Sequence, residues 1–149
     1  MKIRKLEQGD KGQTEHFFSV MGEVSSSFFN VDHGNEKRVA EFFENGKKDH
    51  EFFVLDRDGE IIGLAFIWDV FSRIPKFGIA VRDDAQGKGV GTFFLTSLLL
   101  RLCEEGYSGV LLTTATDNIR AQRLYERCGF ERLGVAETGQ YVYIRRFLK

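Results

Sequence analysis

Hydrophobic and polar positions change their period several times along the first half of the chain, and each change predicts a new element. Alternation over Lys2 to Leu6 predicts a short strand. Apolar residues at helical spacing predict a first helix between Asp10 and Val24 and a second that ends at Gly46, a residue type common just after helix C-termini. Between these helices, "SSSFFNVDHGN" has the composition of a loop.

The second half of the chain predicts a hairpin followed by alternating strands and helices. Two apolar runs flank Asp58-Gly59, which is a strong turn signal, and Ile74 to Val81 forms the next strand. A helix follows with a five-member apolar face (Phe94, Leu95, Leu98, Leu99, Leu102) and ends at Gly106. "SGVLLTTAT" predicts a strand covered on both faces, and a helix capped by Asp117 or Thr116 and two closing strands complete the chain. The order β-α-α-β-β-β-α-β-α-β-β predicts an α/β (α+β) fold, with a mixed sheet of about seven strands and helices on both faces.

Composition narrows the class of protein. The 149 residues carry one proline and no Ser/Gly-rich linker, so a single domain over residues 1–149 is expected. A net charge of -1 gives no case for a nucleic-acid partner. Two cysteines, no signal peptide and no long apolar run predict a cytoplasmic protein without a membrane partner.

Glycine occupies every second position in "DDAQGKGVGT", directly before the best helix of the chain, at Gly87, Gly89 and Gly91. A tight turn needs fewer glycines. A dinucleotide fingerprint would need glycine where Thr92 stands, and a P-loop would need Ser or Thr directly after Lys88. The remaining interpretation is another kind of phosphate site, in which backbone N–H groups at a helix N-terminus face a pyrophosphate.

Two motifs then resemble those of the GNAT superfamily of acetyl-CoA-dependent N-acetyltransferases. Gln86-x-x-Gly89-x-Gly91 is similar to its acetyl-CoA signature. About thirty residues on, the chain matches N-x-x-A-x-x-L-Y-x-x-x-G-F with Asn118, Ala121, Leu124, Tyr125, Gly129 and Phe130. The resemblance covers the element order of the whole chain and implies a largely antiparallel, twisted sheet of about seven strands with four helices.

The resemblance implies where acetyl-CoA, the acyl donor, would bind. Main-chain N–H groups from Gln86 to Thr92 would hold its pyrophosphate, namely those of Gln86, Gly87, Lys88, Gly89, Val90, Gly91 and Thr92. Lys88 is equally compatible with a solvated surface charge. The strand residues Ile79, Ala80 and Val81 would pair with the pantetheine arm after splaying at a bulge, with which Gly78 is consistent. Asn118, Ala121 and Tyr125 share one helix face, and Asn118 would bond the same arm because Asp117 can cap the helix.

The implied catalytic residues are Tyr125 and Asp69. The tyrosine at this place in the family motif commonly acts as the general acid near the CoA sulfur. The predicted strand lacks the glutamate that many members use as a base, and Asp69 is the leading substitute because it interrupts a buried-looking run. Other carboxylates in flanking segments (Glu23, Asp32, Glu137), His33 and a water chain remain alternatives.

The acceptor is expected to be a small-molecule or peptide amine, held between the first two helices and the last hairpin. Phe28 and Phe29 would form an apolar wall or core, and the acidic residues of these segments would suit a cationic amine. No metal is expected, since His16, His33 and His50 lack ligand spacing. A non-catalytic CoA-binding module and a nucleotide-binding domain are the rival functions, and the chain is expected to be a monomer or homodimer.

Overall fold

Seven strands form one sheet in the computed structural model, which describes residues 1–21, 35–46 and 50–147. The strands are β1 (Lys2–Lys5), β2 (Glu51–Arg57), β3 (Glu60–Trp68), β4 (Lys76–Val81), β5 (Gly109–Thr114), β6 (Glu131–Val135) and β7 (Tyr141–Arg146). Their spatial order is β1-β2-β3-β4-β5-β7-β6. Among these strands β4 and β5 form the parallel pair, and every other neighbouring pair is antiparallel. The predicted mixed, largely antiparallel sheet is confirmed.

Helices cover both faces of this sheet. They are α1 (Lys11–Ser19), α2 (Asn35–Asn45), α3 (Val90–Glu104) and α4 (Ile119–Arg127). Side chains of β2 alternate between two cores: Phe53 and Leu55 pack with residues of α3 and α4, whereas Phe52 and Val54 pack with residues of α1 and α2. This alternation explains why Phe52 to Leu55 are all apolar, since both faces of a central strand are buried.

The predicted boundaries hold within a few residues where the structure describes them. Arg57 pairs with Glu60, so Asp58 and Gly59 form the two-residue turn expected from the sequence. The helix expected between Asp10 and Val24 is shorter in the structure, because it ends at Ser19 with Val20 as its C-cap. The loop expected at residues 25–35 falls almost wholly outside the described residues.

Within the described ranges, none of the helices combines the length and apolar character that crossing a bilayer requires.

Candidate active site

The two parallel strands β4 and β5 separate almost as soon as they meet. Their register contains a single pair, Lys76 with Leu111, and the amide of Leu111 donates to the carbonyl oxygen of Pro75 at 2.9 Å. Beyond this point the strands diverge toward their carboxyl ends at Val81 and Thr114. The divergence opens a V-shaped gap in the middle of the sheet.

Backbone groups of β4 face this gap without a strand partner. The amide of Arg82 donates to Ile62, and hydrogen bonding alternates along an antiparallel pair, so Ala80 and Gly78 bond to β3. The N–H and C=O groups of Ile79 and Val81 therefore point the other way, toward β5. Among the described residues only one of these groups has a partner, since the Val81 carbonyl accepts from Gln86 Nε2 at 2.9 Å.

The splayed strand expected from the sequence is present, but the expected bulge in β4 is wrong. The register of β3 with β4 runs unbroken from Gly63–Val81 to Trp68–Lys76. Gly78 has a different reason to be glycine: a Cβ at this position would lie 2.2 Å from Cζ of Phe66 on the neighbouring strand. The gap therefore comes from the loss of β4–β5 pairing and not from an extra residue.

The glycine loop enters α3 through two left-handed residues. Gly87 has φ 83° and Gly89, the N-cap of α3, has φ 77°. A Cβ at either position would meet no atom within 4 Å, so one side of this backbone is open. Gly91 differs, because it lies within α3 and its Cβ would make ordinary contact with Leu124, at 3.5 Å. Two of the three glycines are thus required by backbone conformation, and the third permits close helix packing.

The amide groups of this loop lack backbone partners. In the described part of the chain, none of the amides from Gly87 to Thr92 donates to a backbone carbonyl, and the first such bond of α3 runs from Phe93 to Gly89 at 3.0 Å. The Gln86 amide, also expected in this set, is an exception, because it donates to the carbonyl of Asp83 at 3.3 Å. A helix N-terminus also carries a partial positive charge. The loop therefore presents a set of N–H donors that suits an anion such as a phosphate.

Side-chain contacts fix the loop between β4 and α4. Gln86 donates to the Val81 carbonyl and accepts a hydrogen bond from Arg120 of α4. Just before the loop, the buried Arg82 holds Asp84 with two hydrogen bonds, at 3.0 and 2.7 Å. The pKa of the Asp84 carboxyl is lowered, first by this hydrogen bond with Arg82. The donor groups are consequently held in place rather than left on a free loop.

The N-terminus of α4 corrects one sequence prediction. Asn118 is the N-cap, and its Oδ1 accepts from the amide of Ala121 at 3.3 Å. The expected N-cap at Asp117 or Thr116 is wrong. Capping occupies only the amide oxygen of Asn118, which leaves its Nδ2 group for a ligand.

The C-terminus of α4 explains the rest of the second motif. Gly129, with φ 90°, donates to Glu126, and Phe130 donates to the carbonyl of Tyr125 at 3.0 Å. These two bonds form a Schellman motif, which typically brings the side chains at its two ends into contact. Here the rings of Tyr125 and Phe130 lie 5.6 Å apart, and Tyr143 of β7 packs on Tyr125 at 6.1 Å. The tyrosine ring is therefore held on three sides by helix, turn and sheet.

Tyr125 has the environment of a protonated phenol. The residue is 6% exposed, and burial raises the pKa of its hydroxyl above its usual range. Within the described residues the hydroxyl has no hydrogen-bond partner, although the residue lines a cavity. A phenol so placed keeps its proton at neutral pH and can give it to a group in the cavity.

One cavity of about 1070 Å³ connects the gap, the glycine loop and Tyr125. Most of the predicted binding residues line it, namely Ile79, Ala80, Val81, Gln86, Gly87, Gly89, Gly91, Thr92, Asn118, Ala121 and Tyr125. Lys88 and Val90 do not: Lys88 is exposed, and the side chain of Val90 is buried in the core. Both motifs thus contribute residues to the lining of the same cavity.

The predicted base lies at the margin of this arrangement. Asp69 follows the last residue of β3, has φ 55° and is exposed rather than buried. It is not among the residues that line the cavity. Glu137 is likewise exposed and outside the lining, whereas Glu23, Asp32, His33 and the Phe28-Phe29 pair lie outside the described residues.

Comparison with protein families decides the classification. The model of the acetyltransferase (GNAT) family matches residues 18–130, well over half of the chain. The chain belongs to the acetyltransferase (GNAT) family. The match spans both motifs and the helix and strand between them, α3 and β5, so the sequence resemblance is confirmed.

Curated relatives of this GNAT chain are modestly similar. A mycothiol acetyltransferase of Streptomyces coelicolor is 36% identical over 83 residues, which cover 53% of this chain and 26% of that protein. An L-methionine sulfoximine/L-methionine sulfone acetyltransferase of Pseudomonas paraeruginosa is 31% identical over 91 residues, covering 57% of this chain and 53% of that protein. The chain thus matches about a quarter of the length of the first relative and about half of the second.

Solved GNAT structures share the fold. The GNAT domain of S. lividans PAT has a TM-score of 0.81 at 16% identity, covering 97% of this chain and 89% of that one. A spermidine N-acetyltransferase from Vibrio cholerae, in complex with CoA and spermine, has a TM-score of 0.74 at 21% identity, covering 97% and 94%. At such identities these likenesses establish the fold alone.

Sequence reasoning missed several residues of the site. Phe66 and Trp68 line the cavity, as do the cationic residues Lys76, Arg120, Arg123 and Arg127. The spacing of the three arginines along α4 could have placed them near one helix face. No sequence pattern pointed to Phe66 and Trp68 as cavity residues, because they end an apolar run that is typical of a core strand.

Proposed function

We propose that this chain transfers an acetyl group from acetyl-CoA to an amine, by direct attack within a ternary complex. The observation that carries the proposal is the convergence of free amides, unpaired strand groups and a buried tyrosine on one cavity. Family membership supports acetyl transfer as the reaction class. Relatives named for mycothiol and for L-methionine sulfoximine favour a small-molecule acceptor over a protein.

The residues present fit the acyl donor at both of its polar regions. The amides of Gly87 to Thr92 would hold the pyrophosphate. The Ile79 carbonyl and the Val81 amide, with Nδ2 of Asn118, would pair with the amides of the pantetheine arm. When bound, acetyl-CoA supplies a thioester whose carbonyl is open to an amine.

Three protein groups would then serve the chemistry. The amide of Ile79 faces the gap and would donate to the carbonyl oxygen as charge develops on it. Tyr125 would protonate the departing sulfur, since its raised pKa keeps the phenol protonated until negative charge appears nearby. Asp69 stays the predicted base, acting on the amine directly or through water from its exposed position after β3.

Release of free thiol from acetyl-CoA, measured across a panel of amines, tests the proposal directly. Turnover with at least one amine is expected. Tight CoA binding without turnover on any acceptor would instead favour the non-catalytic module.

The first prediction concerns the glycine loop. Gly89→Ala should weaken CoA binding by about tenfold or more, because a Cβ would enter the open side of the loop and the left-handed backbone would be strained by about 1–2 kcal/mol. Gly91→Ala is the matched control, since its Cβ makes only ordinary contact. Calorimetric titration with CoA checks both variants, and equal affinities would remove the loop from the donor site.

The second prediction concerns Tyr125. Tyr125→Phe should lower kcat by about 10²-fold or more while CoA affinity stays within about threefold, because the ring packing is kept and only the proton is lost. Steady-state kinetics at saturating acetyl-CoA measure the first quantity and calorimetry the second. An unchanged kcat would exclude the tyrosine as general acid.

The third prediction concerns the base. Asp69→Asn should lower kcat/KM by about tenfold or more below the pKa of the acceptor amine, where proton removal limits the rate. Asp58→Asn is the matched control, because Asp58 also has positive φ, at 52°, and lies in the β2–β3 turn away from the cavity. A pH–rate profile of the Asp69 variant that matches the control would exclude Asp69.

A further inference from the structure

The cavity reaches both faces of the sheet, and β4 separates the two. Phe77, Ile79 and Val81 pack with the core that contains Tyr125, whereas Ala80 packs with the core of Phe66 and Trp68. Because side chains alternate along a strand, Lys76 and Gly78 lie on the same side as Ala80. We call this side of the cavity the Phe66 face, formed by Phe66, Trp68, Lys76, Gly78 and Ala80.

An ordered aromatic wall forms half of the Phe66 face. The rings of Phe66 and Trp68 lie 4.5 Å apart, and the residues are only 5% and 9% exposed. Phe66 rests directly on Gly78, and the Arg38 guanidinium of α2 lies 4.4 Å from the Trp68 ring. Such a wall suits an apolar or polarisable side chain of a ligand.

All the charged residues in the described lining of the cavity are positive. Its charged members are Lys76, Arg120, Arg123 and Arg127, with no carboxylate among the described lining residues. The arginines belong to α4, where Arg120 contacts Gln86 of the glycine loop. Lys76 alone is on the Phe66 face, and it forms no ion pair with a carboxylate of the described chain.

We infer that the acetyl acceptor carries a carboxylate beside its amine, as an α-amino acid with an apolar side chain does. The inference rests on the proposed acetyl transfer and names its substrate class. Lys76 would bind the carboxylate, Phe66 and Trp68 would contact the side chain, and the amine would face Ile79 and Tyr125. Lys76 precedes Ile79 by three residues, ~10 Å along an extended strand, which a lysine side chain and a small amino acid together can bridge.

The same charge disfavours a polycationic acceptor. A polyamine would meet like charges at Lys76 and at the α4 arginines, with no carboxylate in the described lining to offset them. This differs from the cationic acceptor suggested by Glu23, Asp32 and Glu137, of which the structure describes only Glu137, outside the lining.

Matched acceptor pairs test the inference. L-Methionine, L-leucine and L-phenylalanine are each compared with their carboxamides, which keep the amine and lose the carboxylate. Because the carboxamide amine has the lower pKa, rates are expressed per concentration of neutral amine. The acids should exceed the amides by roughly fivefold or more in kcat/KM.

Substitutions of Lys76 then test whether this residue causes the preference for acids over amides. Lys76→Gln should abolish most of the acid-over-amide ratio through a higher KM for the acid. Lys76→Arg should retain the ratio. Lys11→Gln, an equal loss of charge on α1 outside the cavity lining, should behave like the unmodified protein.

The possible results distinguish a failure of the inference from a failure of the proposed function. Equal use of acids and amides, or a preference for spermidine or a lysine peptide, would overturn the inference and leave acetyl transfer intact. An acid preference that survives Lys76→Gln would also overturn it. Failure to release thiol with every acceptor would contradict the proposed function itself.

Discussion

The separation of β4 from β5 is the constraint on which the site depends. A continuous sheet would satisfy the backbone groups of Ile79 and Val81, because buried polar groups of the main chain require partners. Here a single residue pair joins the strands before they part, and those groups face a cavity instead. The two strands are parallel, so the N-termini of α3 and α4, each of which follows one of them, lie at the same edge of the sheet. The break in pairing creates the gap, and the parallel direction places beside it the groups that a ligand with amides and phosphates would need.

The two family motifs are largely structural in their physical roles. Gly89 provides left-handed backbone, Asn118 caps α4, and Gly129 with Phe130 ends it in a Schellman motif. These devices determine where the backbone amides and the Tyr125 ring lie. Tyr125 is the residue of the second motif whose side chain carries the proposed proton transfer. Substitution at the scaffold positions would therefore act mainly through geometry, whereas substitution of Tyr125 would act on chemistry.

Local patterns in the sequence predicted the elements well, and long-range geometry was the part they could not supply. The Asp58-Gly59 turn and the apolar face of α3 are local signals, so hairpin and helix followed from them. The break in pairing between β4 and β5 involves strands that are far apart in the sequence, because a helix lies between them. A bulge in β4 would have been a local sign of the break, but β4 has none. Asp69 was chosen as the base because it interrupts a run that looks buried, but β3 ends at Trp68 and Asp69 is exposed. Lys76 gave no signal at all in the sequence, since the role proposed for it follows only from sharing a face with Phe66 and Trp68.

Amide chemical shifts during titration with CoA test the central claim most directly. The account predicts that the amides of Gly87 to Thr92 shift together with those of Ile79 and Val81, and that their hydrogen exchange slows, because one ligand would span the loop and the gap. Amides of β6, at the far edge of the sheet, should stay unchanged. Shifts confined to another surface, or none at millimolar CoA, would contradict the account.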